Sequence, residues 1–111
     1  RAQGLMDAVA PTITITTHPE EQSAAVNDAV ELTVAGSSSD GRAVAYQWYS
    51  NTANSTVGAT KIATGGTAAT YAPVTTAAGT VYYYCVVSDA AGGATESVAP
   101  VTSNIVAVVV A

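Results

Sequence analysis

An all-β fold, a two-sheet antiparallel β-sandwich, is what this sequence predicts, and three observations carry the prediction. Apolar residues recur with period two in short runs, separated by clusters of Gly, Pro, Ser and Asn. No segment keeps a 3.6-residue period long enough for a helix. The length of 111 residues suits one sandwich of roughly 100 residues and leaves little room for a second domain.

Arg1–Ala10 reads as a leader, with Leu5, Met6 and Val9 as its apolar side chains. Pro11 opens the domain, 11–111, and ends any short helix before it, because the residue preceding a proline is pushed out of the helical region. Thr12–Thr17 alternates Ile13 and Ile15 with threonines, the mark of a half-buried strand. His18-Pro19 breaks it. Ala29–Ala35 alternates again, with Val30, Leu32 and Val34 on one face, and Gly36–Gly41 follows as a turn. Val44–Ser50 is the next strand and carries Trp48. Asn51–Gly58 is loop-like, Lys61–Ala63 a short strand, and Gly65-Gly66 a turn. Ala69–Ala72 is a strand ended by Pro73, and Ala77–Gly79 a corner leading into the β-prone run Val81–Ser88. Asp89–Gly93 turns the chain, and strands around Ala94–Val98 and Ile105–Val110 close it.

Composition removes several function classes. Charged residues make up 10% of the chain, against about 25% in an ordinary soluble domain, and Thr, Ser, Asn and Gln supply the polarity instead. The formal net charge is −5, and the three basic residues, Arg1, Arg42 and Lys61, lie far apart. They cannot neutralise a run of phosphates, which argues against nucleic acid and anionic membrane surfaces. No apolar run approaches the ~20 residues that span a bilayer as a helix, so membrane insertion is not expected. A single cysteine, Cys85, excludes an internal disulfide and a cysteine-built zinc site.

Three segments carry a family resemblance. Tyr46-Gln47-Trp48-Tyr49 puts a tryptophan on the third main strand. Tyr82-Tyr83-Tyr84-Cys85 puts a tyrosine two residues before a cysteine on a later strand. Val30-Glu31-Leu32-Thr33-Val34 stands where a second strand belongs. In this order they resemble the bacterial immunoglobulin-like repeats of large surface and secreted proteins, from about Pro11 to Val110. The resemblance implies an immunoglobulin-like sandwich with Greek-key connections, placed outside the cell or on its surface. It also implies a structural core of Val30, Leu32, Val34, Trp48, Tyr83 and Cys85. Two departures stand out. Val34 occupies the place of the family's first cysteine, making this a disulfide-free variant. Gly79 lies two residues further upstream of the tyrosine than the family pattern puts it, which weakens the corner hydrogen bond expected of Tyr83. Losing such a disulfide costs ~2–4 kcal/mol. Burying the Trp48 side chain, roughly 200 Å² at ~25 cal/mol per Å², contributes about 5 kcal/mol before entropy, so packing can replace the bridge.

The chemistry-bearing residues argue against an enzyme and for no cofactor. His18, the one histidine, sits beside Pro19 at a strand end and reads as a solvated loop residue. Glu20-Glu21 is not a working carboxylate pair, because neighbours on an extended strand point to opposite faces. Asp28, Asp40 and Asp89 fall in turns, where Asp bonds its own backbone, and no local set approaches the roughly six to eight oxygens calcium needs. Asn54–Thr56 matches a glycosylation sequon but reads as polar loop. Lys61, the one lysine, has no reason to enter the core for an isopeptide crosslink. Cys85 reads as a buried thiol acting as a small hydrophobe.

The functional expectation is therefore a surface. With Trp48 and Cys85 facing inward, Tyr49, Tyr82, Tyr84 and Val86 face outward on two neighbouring strands and form one exposed patch, which usually marks a contact site. Ile105–Val110, apolar at both parities, extends it, since such a strand expects cover on both faces. Leu5, Met6 and Val9 need a packing partner too, in the same subunit or a neighbour. The expected function is a non-catalytic structural or interaction module: stalk, adhesin or appendage building block. The first alternative is a self-assembling extracellular filament subunit, joined through the leader or an open sheet edge. The second is a carbohydrate-binding module using Tyr49, Tyr82 and Tyr84 as a stacking platform. The expected partners are neighbouring domains, identical subunits or a carbohydrate.

Overall fold

The computed structural model of the chain describes residues 12–39, 41, 43–63, 65–89 and 100–111. Ten strands follow in chain order: β1 (Ile13–Thr17), β2 (Gln22–Ala24), β3 (Leu32–Thr33), β4 (Ala35–Ser38), β5 (Val44–Asn51), β6 (Thr60–Lys61), β7 (Thr70–Tyr71), β8 (Gly79–Asp89), β9 (Val101–Thr102) and β10 (Val106–Val110). Among the described residues there is no helix. The expected strand Ala94–Val98, the leader Arg1–Ala10, Asp40 and Arg42 lie outside the described residues.

The principal sheet has the order β2-β10-β8-β5-β6, with β9 pairing the far end of β8. Its centre is the β5–β8 ladder, in register from Val44↔Asp89 to Asn51↔Tyr82. Both strands are rich in Tyr, Trp and Val, which suit a pleated, half-buried surface. Two short sheets, β1-β4 and β3-β7, supply the second layer. Ile13 of β1 and Leu32 of β3 join Trp48, Cys85, Val87 and Val106 of the principal sheet in one buried cluster. The chain is thus all-β and sandwich-like, its layers held by apolar packing.

Several boundaries depart from the sequence pattern, each for a hydrogen-bonding or steric reason. The expected strand Ala29–Ala35 is split at Val34, because β3 pairs with β7 while β4 pairs with β1. Val34 itself donates its N–H to Ala69 O at 2.9 Å and stays buried. Gly36–Ser38 is strand rather than turn. The absent side chain at Gly36 serves close approach, since a Cβ there would lie 2.8 Å from Val87 Cγ1. Asp89 likewise ends β8 instead of opening a turn. β2 and β9 carry no alternation to announce them. They exist because β10 and β8 offer partners, β2 pairing parallel to β10 from Gln22↔Val108 to Ala24↔Val110.

The sandwich has two distinct ends. At the upper end, near Ser38 and Val44, the Ser39 N–H donates to Thr12 O and the Thr12 N–H donates to Ser39 Oγ, both at 2.9 Å. At the lower end lie Asn51, Gly79 and Val110, with Ala111 donating its N–H to Ala24 O at 2.9 Å.

Gly66 tests the packing of the segment that straps Trp48. Its carbonyl accepts the Trp48 backbone N–H at 2.7 Å, and a Cβ on it would fall 2.3 Å from the Ile62 carbonyl oxygen. A backbone atom cannot swing away as a side-chain tip can. Gly66→Ala is therefore expected to cost about 1–3 kcal/mol of unfolding free energy, read as a lower urea midpoint at unchanged slope. A midpoint equal to wild type would mean that the strap is loose.

Candidate functional site

The candidate site is the outer face of the principal sheet, and it depends on the core behind it. Trp48, fully buried, donates Nε1–H to Ala68 O at 2.8 Å, and its ring lies 6.2 Å from Tyr71, which in turn lies 5.6 Å from Tyr83. Cys85 sits fully buried on the neighbouring strand, opposite Trp48. Its backbone N–H donates to Ser103 Oγ at 2.9 Å, and Ser103 Oγ–H donates onward to Asn104 O at 3.0 Å. This buried serine replaces a ladder bond where β9 gives way to β10, so the polar groups at the break are satisfied. Burial pushes the Cys85 thiol up to about 11, against a smaller lowering from the Gln47 backbone. The core cluster holds Val30, Leu32, Val34, Trp48, Tyr83 and Cys85 together.

Strand alternation then sends Tyr49 of β5 and Tyr82, Tyr84 and Val86 of β8 to the opposite face. Tyr49 and Tyr84 are register partners whose rings stack at 5.1 Å with 8° between their planes. Tyr82, Tyr49 and Val86 are half-buried, but Tyr84 is only 6% exposed. The expectation of an exposed Tyr84 is corrected here: its stacking on Tyr49 covers it. That burial, with the Tyr49 hydroxyl nearby, raises the Tyr84 pKa. The stack also uses up one face of each ring, which leaves less flat aromatic surface than separate tyrosines would present. On β10, Ala107 pairs with Tyr82, and Val109, 39% exposed, pairs with Thr80. The second layer turns Thr14, Thr16, Glu31, Thr33 and Thr70 to solvent instead. The outer face of the principal sheet thus carries an aromatic and apolar patch, with Gln47, Asn51, Thr80 and Ser88 on the same face, whereas that of the second layer is polar.

Leu5, Met6 and Val9 lie outside the described residues. The remaining candidates play structural parts. His18 is exposed, and its Nδ1 accepts the Asn104 backbone N–H at 3.2 Å, tying the β1–β2 connection to the segment before β10. Lys61 is exposed on β6. Among the described residues no three His, Cys, Asp or Glu side chains gather as metal ligands. No helix among them is long and apolar enough to cross a membrane.

One feature had no signal in the sequence. A cleft of about 410 Å³ opens at the lower end of the sandwich, lined by Val74, Ala77, Ala78, Val81, Val108 and Val110, with Tyr83 behind them. Its residues come from a loop and two strand ends, so neither period two nor any motif announces it. No protein-family model matches the chain, and no curated protein matches it.

Proposed function

We propose that the chain is a non-catalytic structural or interaction module with an immunoglobulin-like, Greek-key sandwich, a disulfide-free relative of the bacterial surface and secreted repeats. Several features support the fold part of this reading. β2 runs parallel to β10 at one side of the principal sheet, and β8 lies between β10 and β5. Trp48 and Cys85 face each other across β5 and β8, with Tyr83 two residues before the cysteine.

The observation that carries the functional part is the contrast between the two outer faces. A sheet face with Tyr49, Tyr82, Tyr84, Val86 and Val109 on it, beside a second face of threonines, marks a contact surface. Placement outside the cell belongs to the same proposal and rests on the resemblance and the Thr/Ser/Ala-rich, charge-poor composition.

Tyr82 is the residue to change, being half-buried on the face and outside the core cluster. In sedimentation velocity, wild type is expected to associate reversibly, and Tyr82→Glu to shift the distribution to smaller species with an unchanged far-ultraviolet spectrum. Identical sedimentation of the two proteins at every concentration would remove this face as the contact site.

A further inference from the structure

The six tyrosines of the chain stand in unequal surroundings. Tyr71 and Tyr83 meet in the core at 5.6 Å, with their ring planes tilted by 47°. Tyr49 and Tyr84 meet on the outer face of the principal sheet at 5.1 Å, with only 8° between the planes. The ladder fixes this second pair. The two residues are register partners on the antiparallel neighbours β5 and β8, so their side chains leave the sheet side by side on one face. Burial raises the Tyr84 pKa, and the Tyr49 hydroxyl adds to the rise, which places the two hydroxyls toward the same end of the stack. Tyr49 is half-buried and reaches solvent, whereas Tyr84 is 6% exposed.

This arrangement suits one covalent reaction of phenols. A phenol that loses an electron and its hydroxyl proton becomes a phenoxyl radical. Its unpaired electron occupies p orbitals normal to the ring, with much of the density on the carbons ortho to the oxygen. Two such rings form a carbon–carbon bond when those carbons approach face to face. Near-parallel rings already in contact meet that requirement, while the 47° tilt turns the orbitals of Tyr71 and Tyr83 away from each other. Holding both rings in place also replaces a chance encounter of two radicals by a step within one molecule. Solvent reaches Tyr49 for the first oxidation, and burial shields a radical on Tyr84 from other partners.

We propose that Tyr49 and Tyr84 are an oxidative crosslinking site, coupled into dityrosine by hydrogen peroxide acting through a haem peroxidase. Each phenol gives up one electron and its hydroxyl proton. A bond then forms between an ortho carbon of Tyr49 and an ortho carbon of Tyr84. Each of those carbons releases its hydrogen as a proton while the ring oxygen regains one, which restores both phenols. The two electrons and the two protons lost overall reduce one hydrogen peroxide to two waters. The product ties β5 to β8 in a chain whose single cysteine rules out an internal disulfide. Such a tie restrains the unfolded chain as a disulfide does. The coupling needs no partner on the sheet face, so it stands or falls apart from the contact reading.

The test is oxidation of the dilute full chain with hydrogen peroxide and a haem peroxidase, followed by gel separation and tryptic mass spectrometry of the monomer. Trypsin cuts after Arg42 and Lys61, so Tyr49 and Tyr84 fall on separate peptides. The expected product is these two peptides joined at a mass two hydrogens below their sum, with the blue fluorescence of dityrosine in the monomer band. Tyr49→Phe and Tyr84→Phe each keep a ring in the stack and remove only a hydroxyl, so both should fold. Each is expected to lose the joined peptides. Tyr82→Phe, on the same face of β8, is expected to keep them. A monomer without the joined peptides, a joined pair that survives Tyr49→Phe or Tyr84→Phe, a pair lost with Tyr82→Phe, or dityrosine confined to covalent dimers of two chains would each overturn the proposal.

Discussion

Trp48→Ala is expected to remove about 3–5 kcal/mol of unfolding free energy, the cost of deleting a large aromatic from a core that cannot collapse to fill its place. A domain of this size holds roughly 5–15 kcal/mol in all, so the variant should lie near the edge of folding at room temperature. The reason is the number of elements that meet the indole. Its strand stands at the centre of the principal sheet, its Nε1–H holds Ala68 O at 2.8 Å, and its ring neighbours Tyr71 of the second layer. Trp48→Phe keeps an aromatic ring but loses the hydrogen bond, and should cost less. Urea unfolding followed by circular dichroism reads both. A loss under about 1 kcal/mol for Trp48→Ala would mean that the layers are not assembled around this residue.

Alkaline pH is expected to destabilise the protein through Cys85. Its thiol titrates near 9.0 when unfolded and at about 11 when folded. Folding therefore favours the protonated form. The contribution is complete below pH 9, falls as the pH rises from 9, and is gone above the folded value of about 11. A shift of about two units corresponds to roughly 3 kcal/mol. Tyr71, Tyr83 and Tyr84 are raised by burial as well and act in the same direction, so the measurement needs a reference lacking the thiol. Wild type should lose roughly 2 kcal/mol more than Cys85→Ala between about pH 8 and about pH 11 in urea titrations. Parallel losses in the two proteins would show that the tyrosines alone carry the effect. At neutral pH the same burial should keep the folded thiol inert to aromatic disulfide reagents until urea unfolds the chain.

The long strands were legible in the sequence because their side chains alternate against a real interior. Val44–Asn51 extends its expected run by one residue and Gly79–Asp89 by three, and Trp48, Tyr83 and Cys85 face inward as parity requires. Gln22–Ala24 was illegible for the opposite reason. Nothing in Gln-Ser-Ala favours a strand, and only the free side of β10 makes it one. Gly36 misleads because glycine signals turns, whereas here it lets β4 approach Val87. For the candidate site, parity placed Tyr49, Tyr82, Tyr84 and Val86 on one face but could not foresee that Tyr84 would be covered by its own neighbour. The cleft is lined by one loop and the ends of two strands brought together by topology, a relation that local pattern does not encode.

The parallel pairing of β2 with β10 has a mechanical consequence. Both strands run downward, with Gln22 opposite Val108 and Ala24 opposite Val110. A pull applied between Gln22 and Ala111 draws β2 upward from its top and β10 downward from its bottom. The three register pairs are then sheared together along the strand direction instead of peeling apart one at a time from an end. Rupture in shear requires those bonds to fail almost at once, whereas a hairpin loaded at its open end gives way sequentially. Tension along the strand direction thus meets the pairing in its strongest orientation.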